Sequence, residues 1–193
     1  MMGQLSSRVL LVDDEPLFRK LISSYLVAEG YVVRSAVDGL DALQKLREGI
    51  PDLIISDLNM PRMSGAELLQ IVRHRFPHLP VIAITADSLP EDVSKGWGAD
   101  AYYQKSGLGF DALLQSVTKL TRESSGRSVA AIPEDNPVRA RLDGDGHYVI
   151  RCEDCLRSFS VPRALCVGQH DQWTTCAHCG SPIQFLIDSP EVQ

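Results

Sequence analysis

Residues 9–16 have the sequence VLLVDDEP, in which an apolar run is followed directly by three acidic residues. A short apolar run of this kind predicts a buried strand. Further runs follow along the chain, separated by segments of helical period, and this alternation is typical of βα units around a parallel sheet. The predicted strands are Val9–Val12, Tyr31–Ser35, Leu53–Ser56, Val81–Ile84 and Ala101–Gln104.

Apolar residues recur at helical spacing between these strands. Helices are predicted from an apolar stripe over Leu17–Leu26, over Asp38–Glu48, from a capping box at Ser64 and over Phe110–Leu120. The segment 88–98 contains a proline and two glycines, which leave room for a helix of about two turns. The pattern predicts an α/β domain over residues 8–121.

The composition is that of a globular protein. The chain has 193 residues, is 44% hydrophobic and carries a formal net charge of -6. No apolar run approaches the roughly 18 residues that span a bilayer, and the first eight residues do not form a signal peptide, so we expect a cytoplasmic protein without a membrane segment. The negative charge disfavours nucleic acid as a partner.

Polar residues follow the predicted strands at their carboxyl ends. Asp13 and Asp14 follow the first strand, Asp57 the third, Thr85 the fourth and Lys105 the fifth. The carboxyl ends of parallel strands meet at one edge of the sheet, so we expect these side chains to lie together. Neighbouring carboxylates repel one another, so the cluster should recruit a hard divalent cation such as Mg²⁺.

These motifs resemble the receiver domain of two-component response regulators. The resemblance covers residues 8–121 and is carried by VLLVDDEP at 9–16, DLNMP at 57–61 followed by Gly65, Thr85-Ala86, and GADAY at 98–102 leading to Lys105. It implies a doubly wound fold of five parallel strands and five helices. It also implies a histidine kinase as partner.

The resemblance also implies roles for individual residues. Asp57 would accept the phosphoryl group. Mg²⁺ would be bound directly by Asp14, mainly through water by Asp13, and by Asp57 and the backbone carbonyl of Asn59. The resemblance implies no enzyme beyond a phosphoacceptor that promotes its own phosphorylation and dephosphorylation.

Three further residues complete the implied machinery. Thr85 and Lys105 would contact the phosphoryl group, and Tyr102 takes the place of the aromatic switch residue. Tyr102 could instead be an ordinary strand aromatic, whereas Tyr103 faces the other side of the pleat. Lys105 is followed by Ser106 where the family normally has proline, which leaves open the cis peptide bond usual at that place in the family.

All five cysteines lie in the last quarter of the chain. After a predicted flexible linker over 122–146, residues 147–188 contain two C-x₂-C motifs with 20 residues between them, a spacing typical of four-cysteine zinc sites. The predicted ligands are Cys152, Cys155, Cys176 and Cys179. Iron, disulfides and thiol redox chemistry remain alternatives, and Cys166 is expected to be a small buried hydrophobe.

The second segment resembles a zinc ribbon, a small β-rich domain. Residues 146–193 contain three arginines and no lysine against five acidic residues, so we expect a protein-binding output. Trp173 and Phe159 are expected in its core. A response regulator with this output is the predicted function, and its phosphorylated form could dimerise. The alternatives are a phosphorylation-controlled nucleic-acid-binding transcription regulator and, third, a redox or iron effector.

Overall fold

A computed structural model describes residues 6–86, 98–124, 138–166 and 171–187. The chain divides into two compact units, with the described residues up to Ser124 in the first and those from Val138 onward in the second. In the described part of the chain, no helix combines the length and apolar composition that a bilayer span requires.

The first unit is built on a five-stranded parallel sheet. Its strands are β1 (Arg8–Val12), β2 (Val32–Ala36), β3 (Leu53–Asp57), β4 (Val81–Thr85) and β5 (Ala101–Gln104). The strand order is β2-β1-β3-β4-β5, and every neighbouring pair is parallel. Each predicted strand is found within one residue at both ends. The direction of winding reverses between β1 and β3, which places the switch point of the sheet beside the end of β1.

Four helices are described in this unit. They are α1 (Pro16–Ala28), α2 (Gly39–Glu48), α3 (Gly65–Arg75) and α4 (Phe110–Ser124). Their starts follow local rules: Pro16 occupies the first turn of α1, the Asp38 side chain accepts from the backbone N–H of Asp41, and Ser64 and Glu67 form the predicted capping box. The helix predicted over 88–98 lies outside the described residues, apart from Gly98.

Apolar side chains are buried on both faces of the sheet. Helices α1 and α4 contribute Ile22, Leu26, Leu113 and Val117 to one cluster with alternate residues of β1, β3 and β4. Successive residues of a strand point to opposite faces. The intervening residues of these strands, such as Leu10 and Ile54, are also buried, on the face that α2 covers against β1 and β2. The doubly wound α/β architecture is therefore confirmed.

The second unit contains another five-stranded sheet. Its strands are β6 (Val138–Leu142), β7 (His147–Arg151), β8 (Ser158–Pro162), β9 (Asp171–Thr175) and β10 (Pro182–Ile187). The order is β8-β7-β6-β10-β9. The pairs β7–β8 and β9–β10 are antiparallel, and β6 joins them by pairing antiparallel with β7 and parallel with β10.

The sheet begins earlier than the sequence predicts. Part of the predicted linker forms β6, and Asp143–Gly146 is the turn between β6 and β7, where the Asp143 carboxylate accepts from the backbone N–H groups of Asp145 and His147 at 3.0 and 2.8 Å. The β6 residues alternate apolar and basic side chains, but the run is only five residues long and lies between Pro137 and the aspartates and glycines at 143–146, a composition that favoured a linker. The aspartate and glycine content here belongs to a tight turn.

The second unit buries a small set of apolar side chains. Tyr148, Ile150, Ile183 and Phe185 are buried. The prediction for Trp173 is wrong: its side chain is 68% exposed on the edge strand β9. A core this small has no room for every aromatic residue, and only the side chains that alternate onto the inner face of the sheet enter it.

Candidate functional site

The carboxyl edge of the first sheet brings the predicted residues together. Asp13 follows β1, Asp57 and Thr85 end β3 and β4, and Lys105 follows β5. Backbone bonds extend the strand pairing into these positions: Asp13 N–H donates to Ala36 O at 3.1 Å and Lys105 N–H to Thr85 O at 2.8 Å. The strand pairing therefore fixes the backbone positions from which these side chains extend.

Three carboxylates and one ammonium group form the centre of the site. Asp13, Asp14 and Asp57 each offer an oxygen, and these oxygens all lie within 4.8 Å of one another. The Lys105 ammonium lies 2.6 Å from Asp57 Oδ2 and 2.8 Å from Asp13 Oδ2, with 13% of its side chain exposed. Asp13 and Asp57 are buried, whereas Asp14 faces solvent.

The electrostatics leave this site with excess negative charge. Burial raises the pKa of Asp13 by penalising its charged form, although Lys105 and a backbone N–H partly oppose that effect. Burial alone would lower the pKa of Lys105, but hydrogen bonds to Asp13 and Asp57 outweigh it, so the pKa is raised and the side chain stays charged. One ammonium faces three carboxylates. The carboxylate oxygens outnumber the single positive charge, and Asp14 is open to water. Such a set fits Mg²⁺, which prefers oxygen ligands and usually keeps several waters.

The loop after β3 holds Asp57 by a close approach to α3. Asp57 Oδ1 accepts from the backbone N–H of Asn59 at 3.0 Å, and the backbone N–H of Gly65 donates to Leu58 O at 2.9 Å. A Cβ added at Gly65 would lie 2.8 Å from the Asp57 carbonyl carbon and 2.9 Å from Leu58 Cα, with the Asp57 carbonyl oxygen nearer still. A glycine is therefore required where helix α3 meets the end of β3.

The remaining predicted residues surround this centre. Thr85 is buried, and its hydroxyl is 3.4 Å from Asn59 Nδ2. Tyr102 is half-buried, and its hydroxyl accepts from the backbone N–H of Ala99 at 3.1 Å. Tyr103 points the other way, toward α4, where its hydroxyl donates to Ala112 O at 2.9 Å. Among the described residues every peptide bond is trans, including the one after Lys105.

Two neighbours of the site were not predicted. The Lys105 ammonium lies 4.7 Å from the centre of the Phe18 ring, within cation–π range, and Arg19 donates to the backbone carbonyl of Asp13. Phe18 belongs to the apolar stripe of α1, and that stripe alone predicts a core residue. Its position two residues after Pro16, in the first turn of a helix that follows the aspartates, is the signal that places it beside the site.

A second site lies between the β7–β8 hairpin and the β9–β10 hairpin of the second unit. The sulfur atoms of Cys152, Cys155, Cys176 and Cys179 all lie within 4.8 Å of one another. The Cys152–Cys179 and Cys155–Cys176 sulfur pairs are separated by 3.6 and 3.7 Å. Two ligands of a tetrahedral ion with metal–sulfur bonds of about 2.3 Å are about 3.8 Å apart. The spacing therefore fits a tetrahedral metal and is far too long for disulfides.

Backbone N–H groups are directed at these sulfur atoms. Those of Cys155, Arg157 and Ser181 bond the sulfurs of Cys152, Cys155 and Cys179. The His178 N–H bonds Cys176 at 3.4 Å. The residues after the second cysteine of each motif, Leu156 and Gly180, both have left-handed φ angles, 57° and 72°. The two motifs therefore have matching turns, and donors aimed at sulfur stabilise thiolates.

The charge balance of the four thiols favours a cation. Hydrogen bonding from Cys152 lowers the pKa of Cys179 to about 4, whereas burial raises that of Cys155 to about 12. All four groups can ionise together only beside a compensating positive charge, which a divalent metal ion supplies. Cys166 lies outside the cluster, with its sulfur 3.9 Å from Pro162 O. It is half-buried and therefore less buried than predicted.

A doubly wound sheet with an acidic cluster and a lysine at its carboxyl edge defines a class of α/β proteins with a flavodoxin-like fold. Within that class, the chain belongs to the response regulator receiver domain family, whose model matches residues 9–117, more than half of the chain. The match ends before the second unit begins.

Individual relatives agree with this assignment. A gliding motility regulatory protein of Myxococcus xanthus is 37% identical over 118 residues, which are 59% of this chain and 15% of that protein. The sensor histidine kinase RcsC of Escherichia coli K12 is 43% identical over 112 residues, 57% of this chain and 12% of that protein. The chain therefore spans a small part of these relatives.

Solved structures show the same fold. The response regulator TrrA of Thermotoga maritima, solved in complex with Mg²⁺-BeF, is 38% identical with a TM-score of 0.55 over 59% of this chain and 98% of that chain. The chemotaxis protein CheY4 of Vibrio cholerae is 34% identical with a TM-score of 0.55, over 60% and 98% of the two chains.

Proposed function

We propose that this protein is a two-component response regulator that accepts a phosphoryl group on Asp57 from a histidine kinase and signals through a zinc-bound, protein-binding second unit. The observation that carries the proposal is the Lys105 ammonium, which lies between the buried carboxylates of Asp57 and Asp13 at 2.6 and 2.8 Å, beside exposed Asp14. Mg²⁺, held by Asp13, Asp14, Asp57 and the Asn59 carbonyl, would supply positive charge to the oxygens of the incoming phosphoryl group.

The residues of the chain then have separate tasks. An Asp57 carboxylate oxygen forms a P–O bond as the P–N bond to the kinase histidine breaks, and the electron pair leaves with that nitrogen, which takes up a proton. Lys105 pairs with Asp57 beforehand and with the phosphoryl group afterwards. Charge is spread over the phosphoryl oxygens during transfer, so positioning and fixed positive charge are sufficient for catalysis. Dephosphorylation uses the same groups with water.

The switch connects this chemistry to β5. The phosphorylated side chain carries about -1.5 to -2 units of charge beside Thr85, in place of the single negative charge of the Asp57 carboxylate, and the Thr85 hydroxyl donates to the phosphoryl group. Tyr102 neighbours the residues of β4 through the pairing of Ala83 with Tyr102. For its ring to turn toward Thr85, the Tyr102 hydroxyl gives up its bond to Ala99.

The output is assigned to the second unit. Its four sulfur atoms fit one tetrahedral Zn²⁺, which would join the two hairpins. Trp173 exposes a large aromatic surface on an edge strand, and the segment around it is acidic overall. Aromatic residues are enriched in protein interfaces, whereas nucleic-acid binding depends on lysines and arginines. A protein partner contacting Trp173 fits these features better than a nucleic acid does.

The phosphorylation step is tested by labelling with acetyl phosphate and by intact-mass spectrometry. We expect one phosphoryl group per chain only when Mg²⁺ or Mn²⁺ is present, and none in Asp57→Asn. The matched control is Asp52→Asn, because Asp52 is a partly exposed aspartate paired with Arg8 away from the acidic cluster. Labelling of Asp57→Asn at the wild-type level would contradict the assignment.

The output is tested by affinity capture from a lysate of the source cells with and without Mg²⁺ and beryllofluoride, a phosphoryl mimic. We expect a captured protein whose amount changes with the mimic and which Trp173→Ala removes. Leu165→Ala is the control, because Leu165 is equally exposed, at 71%. Salt-dependent binding of short DNA or RNA at micromolar concentration would favour the transcription-regulator alternative, and visible colour of the purified protein would favour iron.

A further inference from the structure

Arg73, in the last turn of α3, binds the segment that leads into β5. Each of its three guanidinium nitrogens has its own acceptor: Nε donates to Gly98 O, Nη1 to Leu79 O at 2.6 Å and Nη2 to Asp100 Oδ2 at 2.7 Å. A guanidinium is a rigid planar fork, so three acceptors bound to it are fixed relative to one another. A lysine could not reproduce this arrangement.

The same segment is also bound to the start of β4. The Asp100 carboxylate accepts from the backbone N–H of Val81 at 2.7 Å, and the Asp100 N–H donates to Val81 O at 2.8 Å. Gly98 has a φ of 74°, and a Cβ there would lie 3.0 Å from Arg73 Cγ. The backbone therefore passes close over the arginine stem, and this passage requires glycine.

Ala99 lies between Gly98 and Asp100, two of the three residues that Arg73 binds, and it donates its N–H to the Tyr102 hydroxyl at 3.1 Å. The direction of that N–H is set by the peptide plane between Gly98 and Ala99, whose carbonyl oxygen is the acceptor for Arg73 Nε. The guanidinium and the tyrosine hydroxyl thus bind opposite ends of one peptide group. This is a direct path from α3 to the aromatic residue of β5.

We propose that Arg73 is a positioning residue that orients the Gly98–Ala99 peptide and thereby holds Tyr102 in its observed position. The consequence for signalling rests on the proposed function: the Arg73 contacts set how readily Tyr102 leaves Ala99 when Asp57 is phosphorylated. Loss of these contacts releases the tyrosine in the unphosphorylated protein.

The test measures amide hydrogen exchange by NMR in the full-length protein. In Arg73→Gln, we expect the Ala99 amide to exchange about ten-fold faster than in wild type, the change that corresponds to loss of hydrogen bonds of this strength. Arg73→Lys, which can replace one contact, should give a smaller increase. Arg75→Gln is the control, because the guanidinium of Arg75 lies over the Phe76 ring, 5.5 Å from its centre, in the same turn.

If Arg73 only stabilised the fold, its replacement would accelerate exchange throughout the first unit. Because we propose a local role, we expect the amides of β1 to keep wild-type protection in Arg73→Gln. Equal Ala99 exchange in Arg73→Gln and Arg75→Gln, or faster exchange at Ala99 and β1 together, would overturn the proposal. If Arg73→Gln does not fold, Asp100→Asn, which removes the charge of one acceptor, should raise Ala99 exchange about two- to three-fold, and an unchanged rate would refute the role.

Addition of Mg²⁺ and beryllofluoride separates this proposal from the function on which it depends. We expect faster Ala99 exchange in wild type and little further change in Arg73→Gln, whose Tyr102 is already released. A wild-type protein that does not respond would contradict the proposed switch. The difference between Arg73→Gln and Arg75→Gln without beryllofluoride would still decide whether Arg73 positions Tyr102.

Discussion

Replacement of Gly65 by alanine tests how the fold holds the phosphoacceptor. The new Cβ would lie 2.8 Å from the Asp57 carbonyl carbon and 2.9 Å from Leu58 Cα, whereas ordinary contacts begin at 3.4 Å. These are backbone atoms, so no side-chain rotation relieves the overlap. The start of α3 and the end of β3 must separate by about 1 Å, which weakens the Gly65–Leu58 hydrogen bond.

The expected cost follows from this geometry. Overpacking that forces backbone shifts costs about 3 kcal/mol, at the upper end of the usual range. For a unit of this size, that cost lowers the melting temperature by roughly 10–20 °C. The Asp57 carboxylate is displaced with its backbone, and a misplacement of about 1 Å slows a positioned reaction about 100-fold. Labelling by acetyl phosphate should fall accordingly.

Circular dichroism at 222 nm is the appropriate stability assay, because the described α-helices all belong to the first unit. Gly109→Ala is the matched control: its nearest new contact would be Ala112 Cβ at 3.8 Å, so its melting temperature should stay close to wild type. A Gly65→Ala protein that melts within 2 °C of wild type, a margin of roughly 0.5 kcal/mol or less, and is labelled at the wild-type rate would refute the reasoning.

Substitutions in each of the two clusters, one acidic and one of cysteines, give further tests. Burial raises the pKa of Asp13 above its ordinary value of 3.8, so its carboxylate destabilises the fold at neutral pH and this penalty disappears as the pH falls toward 3.8. Asp13→Asn should therefore raise the melting temperature in EDTA, by a margin that narrows at acid pH. Mg²⁺ should stabilise the wild type more than the variant, and a lower melting temperature of Asp13→Asn at pH 7 in EDTA would contradict this reasoning. In the second unit, Cys152→Ser should abolish binding of one Zn²⁺ and unfold that unit while sparing the first, since structural zinc contributes about 10 kcal/mol or more to such domains. Metal analysis of Cys166→Ser should still find one Zn²⁺ per chain, and the reverse pattern would show that the ligand set is wrong.

The three central strands of the first unit, β1, β3 and β4, could be predicted because they are buried on both faces. A run such as Leu53–Ser56 is apolar or small throughout, and such a run in a chain of βα units has one stable position, in the middle of a parallel sheet. The site residues followed from the same fact, since a residue directly after a buried strand must lie at the edge of the sheet. The local rule at Ser64 and Glu67 also predicted where α3 begins.

Other features depend on contacts that the local sequence does not contain. β6 pairs with β10, more than 40 residues along the chain, and its own five residues lie beside proline, aspartate and glycine residues typical of a linker. Trp173 is exposed because it pairs with Gln184 and so lies on the face of the sheet opposite Ile183 and Phe185, which only the register of β9 on β10 decides. The contact of Phe18 with Lys105 joins α1 to the end of β5, so it depends on how two elements far apart in the chain pack.

The central position of β6 determines where the second unit can be cut from the chain. A fragment that starts at residue 147 would lose the one strand that pairs with both hairpins, because β6 lies between β7 and β10. The two halves of such a fragment would then be held together by the connecting chain, by the contacts of His178 with Ser158 and Phe159, and by the four cysteines when they bind a metal. Removal of a bound metal would leave the two hairpins without backbone pairing between them. The shortest fragment that keeps the backbone pairing intact runs from Val138 to Ile187. Its first five residues have the composition of a linker, yet they form the central strand of the sheet.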